Sequence, residues 1–184
     1  MVALVLAFLQ PPVSLVLSTP QTTYTIGKPI FVRVEATNQA DRPIVLSLPR
    51  DGTDRGMRAP FMELQMRTSR GKWVRAFPPG LSGCGNVNGP EPGDYFTLQP
   101  KARRVVVEGP NEPASEALAK PGTYRLRYMI DTRPEVRRWE GGLEYPFAGA
   151  PRRVAPFVLA AHAAAPKGVF FSNELTVHIV PRRS

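Results

Sequence analysis

Two antiparallel β-sheets packed face to face are what the sequence predicts, and three observations predict it. Residues 121–131 read Pro-Gly-Thr-Tyr-Arg-Leu-Arg-Tyr-Met-Ile-Asp, with Tyr124, Leu126, Tyr128 and Ile130 on one face and Thr123, Arg125, Arg127 and Asp131 on the other. Residues 172–180 repeat the pattern, Leu175, Val177 and Ile179 opposing Thr176 and His178. Such period-two alternation gives a strand one dry and one wet face, as in antiparallel sandwiches and barrels. The third observation is punctuation: 21 Pro and 15 Gly are spread over the 184 residues, marking turns between short strands rather than a low-complexity tail. Tyr124, just after the turn that launches the penultimate strand, is placed like the tyrosine corner of immunoglobulin-like sandwiches. The expected fold is therefore all-β: an immunoglobulin-like antiparallel β-sandwich of seven to nine strands, with a long insertion before the last strand.

Taken in order, residues 1–12 hold an apolar run at 2–9 followed by Gln10-Pro11-Pro12. The run has the length of a signal-peptide core but lacks a basic lead and a small-x-small cleavage site. It is shorter than the ~20 residues that span a bilayer. It reads as a signal-peptide remnant, with an apolar lead-in as the alternative, because residues 13–19 supply a first strand without it. Residues 13–184 read as one domain, a size at which a chain buries roughly 70% of its unfolded surface.

Residues 14–19 alternate and stop at Pro20, as an edge strand does. Residues 24–29 (Tyr-Thr-Ile-Gly-Lys-Pro) read as a turn. Ile30–Asn38 is a strand with Ile30, Val32, Val34 and Ala36 inward and Phe31, Arg33, Glu35 and Thr37 outward. After the polar stretch 38–43, residues 44–48 form a short strand that reads as its hairpin partner. Residues 61–68 and 73–77 flank Ser69-Arg-Gly-Lys72, a hairpin with Gly71 where positive φ is needed. Residues 78–92 are a Gly- and Pro-rich excursion. Short strands at 95–98 and 103–108 surround the Gln99-Pro100-Lys101 turn, and 109–120 is a linker with one helical turn at 113–119. Residues 132–167 are the insertion, its second part (154–165) apolar and readable as a short helix after Pro156 or as a buried strand.

Together Gly27-Lys-Pro-Ile30 before a strand ending at Asn38, the Gly71-Lys72 hairpin, Asp94-Tyr-Phe-Thr-Leu-Gln-Pro100, Pro121-Gly-Thr-Tyr124 and Ser172-Asn-Glu-Leu-Thr-Val177 have a familiar order. It resembles the small immunoglobulin-like sandwiches of bacterial exported proteins. It is similar to the non-catalytic N-terminal domain of deuterolysin-type (aspzincin) metallopeptidases and, more loosely, to the intracellular proteinase inhibitor of bacilli. The resemblance implies a fold rather than an activity. A peptidase domain of that family would bring a His-Glu-x-x-His helix, whereas here Ala163 follows His162 and Ile179 follows His178.

The net charge of +9 comes from nineteen Arg and five Lys against 15 acidic residues. Acidic side chains are interleaved throughout, which argues for a diffuse basic surface over a dedicated nucleic-acid site. Cys84 is the one cysteine, so no internal disulfide forms and a cysteine-based zinc site is not expected. As a nucleophile Cys84 would need His162 or His178 as its base; the Gly-rich setting reads instead as a small residue in a loop. His178 reads as an exposed residue of the last strand and His162 as a helix-surface or core residue.

No catalytic constellation emerges, and no metal or cofactor is expected. Arg137, Arg138, Trp139, Tyr145 and Phe147 combine planar cations with aromatic faces, a composition enriched in recognition hot spots, and they are the candidate ligand-binding residues; the competing reading has the aromatics capping the core. The expectation is a non-catalytic binding or accessory module, exported to a secreted, periplasmic or cell-surface location, or cytoplasmic if 2–9 is no signal remnant. Its partner would be a protein or an anionic glycan. The alternatives are a protease inhibitor acting through loops 50–60 and 78–92, and a binder of an anionic polymer, glycan or nucleic acid.

Overall fold

The computed structural model describes residues 10–50, 52–53, 58–76, 89–111, 118–140 and 153–182. The first sheet holds β1 (Val13–Ser18), β3 (Ile30–Asn38) and β8 (Arg103–Asn111) in the order β1-β3-β8. The second holds β2 (Thr23–Thr25), β11 (Leu175–Val180), β9 (Gly122–Asp131), β5 (Phe61–Arg67) and β6 (Trp73–Arg75) in that order, with β10 (Val169–Phe171) also paired to β9. Alternation explains why the two sheets close on one another. Val13, Leu15, Leu17, Ile30, Val32, Val34 and Ala36 of the first sheet and Met62, Leu64, Leu126, Tyr128, Ile130, Val177 and Ile179 of the second form one core. Lettering the strands A, B, C, C′, E, F, G along the chain gives A-B-E against G-F-C-C′, the strand order of an immunoglobulin-like sandwich. The Tyr124 hydroxyl donates to the Lys120 carbonyl at 3.0 Å, completing the expected tyrosine corner.

Two expectations are corrected. The segment at 24–29 was expected to be a turn, but its start is β2, which pairs parallel to β11, Ile179 lying opposite Tyr24. Burial of Tyr24 between the sheets holds it there, so the sandwich is not wholly antiparallel. The segment at 44–48, β4 (Ile44–Ser47), pairs with β7 (Tyr95–Leu98) and not with β3. β4 prolongs β3 past a bend, while β7 prolongs β8, and the pairing continues through Asn38 N–H to Ala102 O (3.1 Å) and Lys101 N–H to Asn38 O (3.0 Å). The eleven strand segments among the described residues thus exceed the expected seven to nine only because long strands are interrupted. β10 and β11 are likewise one strand kinked at 172–174.

The insertion begins at Thr132, whose backbone and side chain both bond to Gly168, its backbone N–H donating to the Gly168 carbonyl at 3.0 Å. Within the insertion lie α1 (Val136–Glu140) and α2 (Pro156–Ala164). Of the two readings for 154–165 the helix is the one realised: Pro156 takes the first helical position, where its missing N–H does no harm. The helical turn expected at 113–119 lies largely outside the described residues.

Candidate binding surface

Of the five residues nominated by composition, the structure describes three. Arg137 is exposed, Arg138 is half-buried and Trp139 is fully buried. Trp139 belongs to a second, smaller core with Ala59, Val158 and Ala165, joined by Phe61, Tyr95 and Phe157. Its ring stacks on Tyr95 (centroids 6.2 Å, 11° between planes) and meets His162 edge-on at 5.3 Å. A tryptophan so enclosed presents no stacking face to solvent, and the core-cap reading describes it. Tyr145, Phe147 and Cys84 lie outside the described residues.

The other sequence candidates are dispersed. His162 Nε2 lies 3.1 Å from the Pro134 carbonyl, and burial, then the Lys167 charge, hold this imidazole below its ordinary pKa against that hydrogen bond. His178, on the outer face of β11, has its Nδ1 3.0 Å from Thr123 Oγ1. The described part of loop 50–60 does not protrude: Thr53, Arg58 and Ala59 are buried under the insertion, where Ala59 N–H donates to Arg138 O at 2.9 Å. Among the described residues no three His, Cys, Asp or Glu side chains gather as a metal site, and no helix is long and apolar enough to cross a membrane.

Cations and aromatic rings do converge elsewhere, on the outer face of the second sheet. Cross-strand register puts Arg127, Gln65 and Arg75 opposite one another on β9, β5 and β6. One pleat away in one direction Phe171 faces Met129, and one pleat away in the other Trp73 faces Arg67. Diagonal neighbours of this kind are within reach of long side chains. The Arg127 guanidinium is accordingly clamped between two rings, 3.9 Å from the Phe171 centroid and 4.3 Å from that of Trp73. Its Nε donates to Gln65 Oε1 at 2.8 Å, and Gln65 Nε2 donates to Glu63 Oε1 at 2.7 Å. Glu63 also pairs with Arg75.

Several consequences follow from that arrangement. The terminal nitrogens of Arg127 donate to no described residue, while its Nε and both faces are committed. Burial lowers the Arg127 pKa, opposed by Glu174 and Glu63, yet a guanidinium remains charged at any physiological pH. Phe171 is 46% exposed and covers one side of the guanidinium. On the same face Arg125 pairs with Glu174 at 3.4 Å, whereas Arg67 and Arg127 make no direct ion pair among the described residues, Glu63 and Glu174 acting on Arg127 only at longer range.

No protein-family model matches the chain, and no curated protein does either. The solved structures similar to it at low identity include these three. The CARDB domain of PF1109 from Pyrococcus furiosus, crystallised in complex with di-metal ions, is 12% identical over 92% of this chain and 89% of that one, with a TM-score of 0.36. The solution NMR structure of the same domain is 12% identical over 92% and 95%, again at 0.36. AvmM, which catalyzes macrocyclization in alchivemycin A biosynthesis, is 14% identical over 95% and 92%, also at 0.36. Likeness at this level transfers neither family nor activity, and the fold rests on the strand order given above. The resemblance to the deuterolysin N-terminal domain and the bacillary inhibitor receives no support from these comparisons.

Trp73, Gln65, Arg127 and Phe171 are the residues that composition did not nominate. Alternation places Arg127 on the wet face of its strand, but Phe171 and Trp73 are 44 and 54 residues from it in sequence, counted as 171 less 127 and 127 less 73. Only the register of four strands brings them together.

Proposed function

We propose that the chain is a non-catalytic recognition module that binds an acidic protein segment on the outer face of its second sheet. The observation that carries this is Arg127, held between Trp73 and Phe171 with terminal nitrogens that donate to no side chain or carbonyl among the described residues. A guanidinium fixed in this way presents two parallel N–H groups, the geometry that matches a carboxylate bidentately. Because rings and Gln65 already hold the side chain, little rotamer freedom remains to be lost on binding. Arg67 on the same face and the chain's net charge of +9 favour an acidic partner and steer its approach. Exposed Phe171 and half-buried Trp73 supply apolar contact beside the charge, which suits a protein segment better than a bare polyanion.

The test is a titration of the full chain with a Glu- and Asp-rich peptide carrying one aromatic residue, followed by Trp fluorescence. Binding is expected to weaken as salt rises. The substitution Arg127→Lys keeps the charge but loses the fork, and is expected to weaken binding about tenfold or more, in line with the ~1.5–3 kcal/mol of a charge-assisted hydrogen bond. Equal affinity of the lysine variant, or tighter binding of a heparin oligosaccharide or duplex DNA than of the peptide, would rule this reading out.

A further inference from the structure

A second concentration of donors lies buried where the insertion meets the sandwich. Arg50 follows β4, and its side chain is only 5% exposed. Nη2 donates to the Ala59 carbonyl at 2.9 Å and the Trp139 carbonyl at 3.1 Å, pinning α1 to the segment before β5. Its Nε and Nη1 are buried without a hydrogen-bond partner among the described residues, and so are the Trp139 Nε1 and the Tyr95 hydroxyl. The guanidinium carbon lies 5.2 Å from the Tyr95 centroid, and Tyr95 stacks on Trp139, so all four groups belong to one locus.

These groups are short of acceptors. Guanidinium and indole nitrogens can only donate. Burial raises the Tyr95 pKa, with Arg50 opposing, so the phenol keeps its proton. The nearest carboxylate oxygen, Asp94 Oδ2, is 3.7 Å from Arg50 Nη1 and already accepts the Glu91 N–H at 2.8 Å. Glu140 Oε2 accepts from Ala155 N–H at 3.1 Å. The charges acting on Tyr95 balance, Arg50 and Arg58 against Asp94 and Glu140. Lys167, 5.4 Å from the Trp139 ring centroid, adds one more cation.

We propose that this seam binds a small oxyanion, a carboxylate or a phosphate, whose oxygens accept from Arg50 Nε and Nη1, Trp139 Nε1 and the Tyr95 hydroxyl. Such a group supplies what all four donors lack and offsets the excess cation. It also ties α1, through Trp139, to β7, through Tyr95, so binding fixes the insertion against the end of the sandwich. The site is independent of Arg127 and of the outer sheet face.

The test uses the full chain and three probes at matched ionic strength: inorganic phosphate, acetate and sodium chloride. Thermal unfolding and Trp fluorescence are read together. Phosphate or acetate is expected to raise Tm saturably while chloride does not, and whichever saturates at lower concentration names the anion class. Tyr95→Phe removes one donor and keeps the stacked ring; it is expected to weaken binding several-fold without lowering Tm in the absence of anion. Arg50→Lys is expected to weaken binding at least tenfold, and should it fail to fold, the phenylalanine variant alone decides. Arg127→Lys is expected to bind the anion as the parent chain does, which separates this site from the peptide surface. A rise in Tm that does not saturate, that chloride reproduces, or that Tyr95→Phe leaves untouched overturns the proposal.

Discussion

Asn38 closes β3 with all of its hydrogen-bonding groups engaged at the bend of the first sheet. Its side-chain amide donates to the Arg42 and Leu98 carbonyls, both at 2.8 Å, and its Oδ1 accepts the Ala40 N–H at 2.9 Å. The residue is fully buried, and its bond to the Leu98 carbonyl lies where water does not reach. Asn38→Ala leaves two carbonyls and one N–H unpaired and is expected to lower stability by about 3 kcal/mol, at ~1 kcal/mol per bond. Asn38→Asp, though nearly the same shape, turns a carboxylate oxygen toward two carbonyls and is expected to be worse than alanine. Urea unfolding of the two variants checks this, and an aspartate variant as stable as the parent would show that the amide is dispensable. The sequence placed Asn38 at a strand end but gave no sign of these partners. Leu98 is 60 residues away, and local spacing carries no information about a bond of that range.

Elements were legible where alternation and turn chemistry agree. β3, β9 and β11 each carry uninterrupted period-two patterns, and their inward faces are those that the pattern names. The β5–β6 hairpin was legible through Gly71, which adopts φ +78°. A Cβ there would meet nothing closer than 3.8 Å, so the penalty for a side chain is conformational rather than steric crowding. Gly71→Ala is expected to cost about 1 kcal/mol, while Gly71→Asn, a residue more tolerant of positive φ, is expected to cost less. Because the hairpin positions Trp73, thermal melts of both variants should be compared with their peptide affinities: a stability loss without an affinity loss would show that Trp73 holds its place unaided. Pairing was where sequence failed. β4 looked like the partner of β3 because they are adjacent in the chain, yet its apolar Ile44 and Leu46 are buried by continuing the β3 ladder. The parallel β2 was hidden in a segment that Gly27 and Pro29 made look like a turn.

At the scale of the whole molecule the described parts of the insertion pack against the sandwich, and the insertion's helix α2 links that packing to pH. His162 on α2 is held below the ordinary imidazole pKa of ~6.5. The folded protein therefore keeps this ring neutral where the unfolded chain already takes a proton. Its contribution is present above ~6.5 and is lost as pH falls from there through the lower, folded-state value. The expected result is a Tm that declines between pH 7.5 and 5.5 in the parent chain and declines less in His162→Gln, which still can donate to Pro134 O; parallel declines would remove His162 from the account. Function was the least legible property. Composition pointed to arginine and aromatic residues grouped in the chain, at 137–147, but the fold buries Trp139 and assembles its own arginine–aromatic cluster from three separate strands. The kink between β10 and β11 has a consequence for the protein during synthesis. There the Asn173 side chain stands in for a neighbouring strand, accepting Leu17 N–H at 2.8 Å and donating to Leu17 O at 3.1 Å. The two residues are 156 apart, so β1 leaves the ribosome early with one edge open, and that edge is closed only when nearly the whole described chain has emerged. Until then the nascent chain carries an exposed strand edge of Val, Leu and Ser that a chaperone or a neighbouring copy can pair with, and the kink ahead of β11 ends that exposure.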